Sequence, residues 1–90
     1  MDAEIFDHIW KKIEKSDRIL LCCHPNPDFD SMGSVLAMTL VLEKLGKKVT
    51  AITGDDQLPA NAGWLPAVEK IKIQKFKNTD LSQQDLFISV

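Results

Sequence analysis

The chain has 90 residues, 44% of them hydrophobic and 27% charged, with a formal net charge of −2 at pH 7. This composition excludes a disordered polymer, and the length allows at most one domain with a modest core. The charge balance excludes the basic footprint of a protein that grips nucleic acid by its backbone, so an anionic ligand would need positive charge from elsewhere, bound metal being one source.

The first periodic stretch runs from Asp2 to Lys15. Ile5, Phe6, Ile9, Trp10 and Ile13 recur at helical spacing, with Asp7, Lys11, Lys12 and Glu14 opposite, which predicts an amphipathic helix. Ser16-Asp17 breaks it. The run Ile19-Leu20-Leu21-Cys22-Cys23 is too short for a helix and predicts a strand buried on both faces, the habit of parallel sheets. Two prolines and an Asn make His24-Pro25-Asn26-Pro27-Asp28-Phe29-Asp30 a loop. A helix follows, with Asp30 or Ser31 expected to cap it and Gly46 to close it. Its body, Val35 to Leu42, is apolar nearly all round and predicts burial on more than one side.

Val49 to Thr53 predicts a second strand, Gly54 to Gly63 an irregular polar connection, and Ile71 and Ile73 between lysines a half-exposed third strand. Leu86 to Val90 predicts a fourth. No internal repeat or low-complexity tract is present. A buried strand leading by a tight loop into a buried helix is half of a βαβ unit, which points to an α/β fold with a mostly parallel sheet. An apolar final strand leads us to expect that residues 1–90 form part of a larger domain, and that uncovered sheet surface favours self-association into a homo-oligomer.

The chemistry lies in His24-Pro25-Asn26-Pro27-Asp28-Phe29-Asp30-Ser31-Met32-Gly33-Ser34, at the carboxyl end of the first strand, where open α/β sheets bind ligands. His24, Asp28 and Asp30 offer one imidazole and two carboxylates on a loop stiffened by proline. N/O donors without a thiolate suit manganese or magnesium. Asp28 and Asp30 could serve two different ions, and a two-metal site holds its ions about 3.5–4 Å apart across a phosphoryl displacement. The helix N-terminus favours an anion. Asn26, Ser31, Gly33 and Ser34 are candidates for phosphate contact or for supporting the metal ligands. Each residue also has a plainer role, as helix cap, turn former or hydrogen-bonded loop histidine.

Cys22 and Cys23 are the only cysteines. Neighbours cannot readily bridge, so buried structural thiols in a reducing, cytoplasmic setting are expected. No segment reaches the roughly 20 apolar residues of a membrane span, and the early acidic residues and amphipathic first stretch lead us to expect no secretory signal. His8 reads as solvated, Trp10 and Trp64 as packing residues, with Trp64 also able to flank a pocket. Lys70, Lys72, Lys75 and Lys77 read as the solvated face of an edge strand.

The segment from His24 to Ser34 resembles the first motif of the DHH phosphoesterase superfamily, a strand followed by His-x-Asn-Pro-Asp-x-Asp-Ser-x-Gly-Ser opening a helix. Within it, the nanoRNase/pAp phosphatase group is most similar. It shares the helix before the first strand, the Leu-Gly-Lys-Lys-Val of Leu45 to Val49, and the Leu58-Pro59 and Leu65-Pro66 pairs. The resemblance implies a Rossmann-like sheet and a metal-dependent hydrolase of short oligonucleotides or small nucleotide phosphate esters. It implies that His24 and Asp28 bind one ion, usually manganese, and Asp30 a second. Phe29 stands where that family commonly has glycine, a departure that bears on loop geometry or on substrate stacking. The family's later motifs, including its bridging Asp, its Asp-His-His and its substrate-binding domain, have no counterpart in residues 1–90. The segment by itself is therefore expected to be inactive. The alternative is a nucleotide- or metal-binding α/β module without hydrolysis.

Overall fold

The computed structural model describes residues 2–24, 27–54 and 62–90. The first helix, α1, spans Ala3–Lys15. Asp2 caps it, its carboxylate accepting from the Glu4 N–H at 2.8 Å. At the other end Ser16 leaves the helix and turns its hydroxyl back to the Lys12 carbonyl at 2.7 Å.

Strand β1 is Arg18–Cys22, and every residue after Arg18 is buried. Helix α2, Phe29–Lys44, carries the chain to β2, Lys48–Ile52. β3 is the short Ile71–Lys72 and β4 is Leu86–Ser89. The four strands form one parallel sheet in the order β3-β2-β1-β4. This is the Rossmann-like α/β architecture expected from the buried strand and its following helix. Register places Leu21 beside Ala51 and Ile88, so the apolar run of β1 is enclosed by strands on both sides.

The main core lies between the sheet and α2. Ile19, Leu21, Cys23, Ala51 and Ile71 from the sheet side meet Met32, Val35, Leu36 and Leu42 of α2. On the other face Leu20, Cys22 and Ile52 form a smaller cluster. The alternation of Leu20 and Leu21 between these clusters is the period-2 geometry of a strand. Each fully buried aliphatic side chain here contributes roughly 1.5–3 kcal/mol of transfer free energy.

Helix α2 ends in a Schellman motif. Gly46 has φ +84°, its N–H bonds the Glu43 carbonyl, and the Lys47 N–H bonds the Leu42 carbonyl, both at 3.0 Å. The expected stop at Gly46 is thus met.

Several expectations need correction. The cap of α2 is Asp28, before both Asp30 and Ser31. The apolar body of α2 is buried on one side only. Leu40, Val41 and Leu45 are exposed, because the sheet takes one face of the helix and α1 meets the rest only along an apolar groove lined by Trp10, Ile13, Met38 and Val41. Strand β3 is two residues long, since pairing with β2 ends at Lys72, leaving Ile73 exposed. Trp10 and Trp64 are also more solvated than packing residues would be, at 41% and 66% exposure. Ile5, Phe6 and Ile9 of α1 are likewise exposed.

The amino end of β4 is tied to β1 by one side chain. Asp85 Oδ2 accepts from the Asp17 and Arg18 backbone N–H groups at 2.9 and 3.0 Å. In return the Asp85 N–H donates to the Arg18 carbonyl at 2.8 Å. The Arg18 and Asp17 amides hold the Asp85 carboxyl below the ordinary carboxylate range. A group with a depressed folded pKa stabilises above its unfolded pKa, and that contribution is lost as pH falls through the folded value. Asp85→Ala should therefore speed amide exchange at Leu86 and Phe87 at neutral pH. The difference from the parent should shrink as pH drops below about 4, where an ordinary Asp protonates. A difference unchanged by acid would show that the carboxylate charge plays no part in the clamp.

Lys70 is not simply solvated. Its Nζ pairs with Glu43 Oε1 at 3.0 Å, joining the start of β3 to the last turns of α2. At this exposure such a pair is worth about 0–1 kcal/mol.

Candidate functional site

The order β3-β2-β1-β4 sends the chain from β1 to one side of the sheet and later back to the other. The carboxyl ends of β1 and β4 therefore bracket a topological switch point, where open α/β sheets form their ligand crevices. Val90 N–H bonds the Cys22 carbonyl at 3.0 Å, and Cys23 N–H bonds the Ile52 carbonyl at 3.1 Å, so the sheet ladder extends to the residue before His24. His24 emerges exposed from this rigid edge.

Asp28 follows in extended conformation, φ −101° and ψ 178°, as the N-cap of α2. Its Oδ1 accepts from the Ser31 N–H at 2.7 Å, and its carbonyl accepts the first helical bond, from Met32 N–H at 3.0 Å. The same Oδ1 stands 3.8 Å from His24 Nε2. That separation is too long for a hydrogen bond. Two ligands of one ion, each about 2.0–2.2 Å from it, can stand up to about 4.4 Å apart. The pair is open to solvent, with side-chain exposures of 48% and 64%.

Asp30 is exposed in the first turn of α2. Among the described residues no three His, Cys, Asp or Glu side chains come close enough together to hold a metal ion. The structure thus gathers His24 with Asp28 and leaves Asp30 outside the group. Asn26 lies outside the described residues, as do Leu58-Pro59 of the connection. Ser34 is exposed and Ser31 buried. Among the described residues outside its own helix turn, a Cβ on Gly33 would meet nothing within 4 Å, so packing among them does not require glycine there.

Burial, first of all, raises the pKa of both Cys22 and Cys23; the neighbouring Cys23 adds to the rise at Cys22. At Cys23 the Ser31 side chain offsets part of the rise and the Asp28 carboxylate adds to it. Both thiols stay protonated at neutral pH, which leaves the site its imidazole and carboxylate donors. Cys22 Sγ contacts the Cys23 carbonyl at 3.1 Å.

Two features of this end of the sheet escape sequence reasoning in whole or part. Gly54, just after β2, has φ +74°, and a Cβ there would lie 2.4 Å from the Cys23 carbonyl oxygen and 2.9 Å from Cys22 Sγ. It lets β2 leave the sheet directly against the residue preceding His24. Its only sequence signal is Thr53-Gly54 ending an apolar run. The second is an edge-to-face aromatic pair. Phe29 and Trp64 have ring centroids 5.6 Å apart at 67°, and both are exposed. Phe29 directly follows Asp28, and Trp64 ends a short 3-10 turn, Ala62–Trp64, anchored by buried Ala62.

No protein-family model matches the sequence, and no curated protein matches it. Among solved structures the chain is similar to an exopolyphosphatase-related protein from Bacteroides fragilis, with 29% identity, a TM-score of 0.73 and 80% of this chain covered. The chain spans about a fifth of that protein's length, 21%.

Proposed function

We propose that this chain provides the metal- and phosphate-binding strand, loop and helix of a DHH-type phosphoesterase acting on small nucleotide phosphate esters or short oligonucleotides. The observation that carries the proposal is the approach of His24 Nε2 to Asp28 Oδ1, 3.8 Å apart and solvent-accessible at the switch point of a parallel sheet. Similarity to an exopolyphosphatase-related protein supports phosphate-ester or phosphoanhydride chemistry in this architecture.

His24 and Asp28 would hold a divalent ion, manganese or magnesium, and Asp30 would join from the first turn of α2 by a change of rotamer. The ion would supply positive charge and an activated water, which the loop cannot supply itself, since residues 24–34 contain no lysine or arginine. The chain's own part is positioning. The β1 edge fixes His24, the helix cap fixes Asp28, and the free N–H groups of the first turn of α2 favour an anion beside them.

A second reading, binding without hydrolysis, draws on the finding that only two of the three expected ligands are gathered. One experiment separates the two. A longer protein that joins this chain to the remaining metal ligands is stripped with chelator, then assayed on 3′-phosphoadenosine 5′-phosphate and on a dinucleotide before and after manganese is restored. A metal contributes several kcal/mol to such a transition state, and each 1.36 kcal/mol is tenfold. Turnover should therefore fall by about 100-fold or more on stripping and return with manganese. Nucleotide binding with no turnover at any metal concentration would favour the binding module, and turnover indifferent to chelator would overturn both metal assignments.

A further inference from the structure

We propose that Phe29 and Trp64 form a stacking platform for the nucleobase of a nucleotide whose phosphate lies at the His24–Asp28 pair. The proposal rests on the phosphoesterase reading and specifies its substrate class. Both rings are large and apolar, yet they stand 42% and 66% exposed. They meet edge to face, centroids 5.6 Å apart at 67°, a geometry that leaves ring faces free for a flat, π-rich partner.

Position joins the pair to the site. Phe29 is the first residue of α2, immediately after the Asp28 cap, so its backbone is within one residue of the carboxylate that faces His24. Trp64 is held against Phe29 by a turn whose first residue, Ala62, belongs to the core. The platform is thus fixed from two separate parts of the chain.

Charge argues for the same ligand. With no lysine or arginine between residues 24 and 34 and a net charge of −2, this segment cannot hold a long polyanion through many phosphate contacts. Affinity must come from another source, and base–aromatic stacking supplies about 1–3 kcal/mol per base without regard to sequence. A short nucleotide, one phosphate at the loop and one base on the rings, matches what these residues offer.

The test is calorimetric binding of adenosine 5′-monophosphate and of ribose 5-phosphate in manganese, compared across the parent, Trp64→Ala, Trp64→Phe and Phe29→Leu. The two probes share the phosphorylated sugar and differ in the base. The parent should bind the adenine compound roughly tenfold or more tightly than the sugar phosphate. Trp64→Ala should remove most of that advantage and leave ribose 5-phosphate affinity unchanged; Trp64→Phe should restore it in part, and Phe29→Leu should reduce it. Equal affinity of the parent for both probes overturns the platform, as does an adenine affinity unmoved in Trp64→Ala and Phe29→Leu. Equal losses on both probes would assign the rings to supporting the loop, and overturn it too. A parent that binds neither probe overturns the phosphate site itself.

Discussion

Gly54→Ala is expected to destabilise the protein severely, by about 3–5 kcal/mol, in the exceptional range for single substitutions. Two costs combine. The residue has φ +74°, a left-handed conformation that costs a non-glycine residue about 1–2 kcal/mol. The new Cβ would also lie 2.4 Å from the Cys23 carbonyl oxygen, far inside contact distance. The opposing atom is backbone in an extended ladder, where Cys23 N–H bonds the Ile52 carbonyl, so it cannot swing aside as a side chain could. Relief requires separating the ends of β1 and β2 or moving the Gly54 N–H from the Gln74 carbonyl that accepts it at 3.1 Å. Against a typical total of about 5–15 kcal/mol, such a loss leaves a small domain marginal or unfolded. Gly33→Ala is the internal control. It sits within α2, and among the described residues outside its own helix turn nothing lies within 4 Å of its Cβ position, so alanine there should stabilise by about 0.5–1 kcal/mol. Urea denaturation of both variants checks the contrast. Parent-like stability in Gly54→Ala would mean that β1 and β2 do not approach as described.

The contrast between the two glycines shows what the sequence could and could not reveal. Periodicity made β1 and α2 legible: five consecutive apolar residues from Ile19 to Cys23 can only be enclosed, and Gly46 after Leu45 is a helix stop by local backbone preference. Local signals also singled out the loop after β1 and the start of α2 as the candidate site. They could not choose the cap, because Asp28, Asp30 and Ser31 are all good capping residues and the choice depends on where the loop releases the chain. Nor could they show that Gly54 abuts Cys23, a contact across 31 positions of sequence set by the parallel register. The apolar circumference of α2 was read correctly as residues and wrongly as burial. Apolarity says which faces would gain from a partner, whereas the sheet and α1 determine which faces receive one. The same holds for Trp64, whose exposure follows from the turn that presents it and not from its residue type.

The assignment of Asp28 turns on separating two jobs done by one oxygen. Asp28 Oδ1 accepts from the Ser31 N–H at 2.7 Å and faces His24 Nε2 at 3.8 Å. Asp28→Ala removes both functions, and loss of a cap alone costs about 1 kcal/mol. An inactive alanine variant could therefore reflect a frayed α2 and a displaced loop. Asp28→Asn separates the two. Asn caps a helix about as well as Asp, so the Ser31 N–H keeps its acceptor and stability should stay within about 0.5 kcal/mol of the parent. The negative charge, however, is gone, and a neutral amide oxygen is a much poorer ligand for a hard divalent ion than a carboxylate. In a longer protein that supplies the remaining metal ligands, manganese affinity, read by electron paramagnetic resonance of the free ion, and manganese-dependent hydrolysis should both fall by about 100-fold or more in the two variants alike, while only the alanine variant loses stability. Asp30→Asn should lower hydrolysis by a similar factor without touching the cap, because Asp30 contributes no capping bond. If Asp28→Asn binds and uses manganese like the parent while Asp28→Ala does not, then Asp28 acts here as a helix cap, and the metal must be sought among other residues around His24.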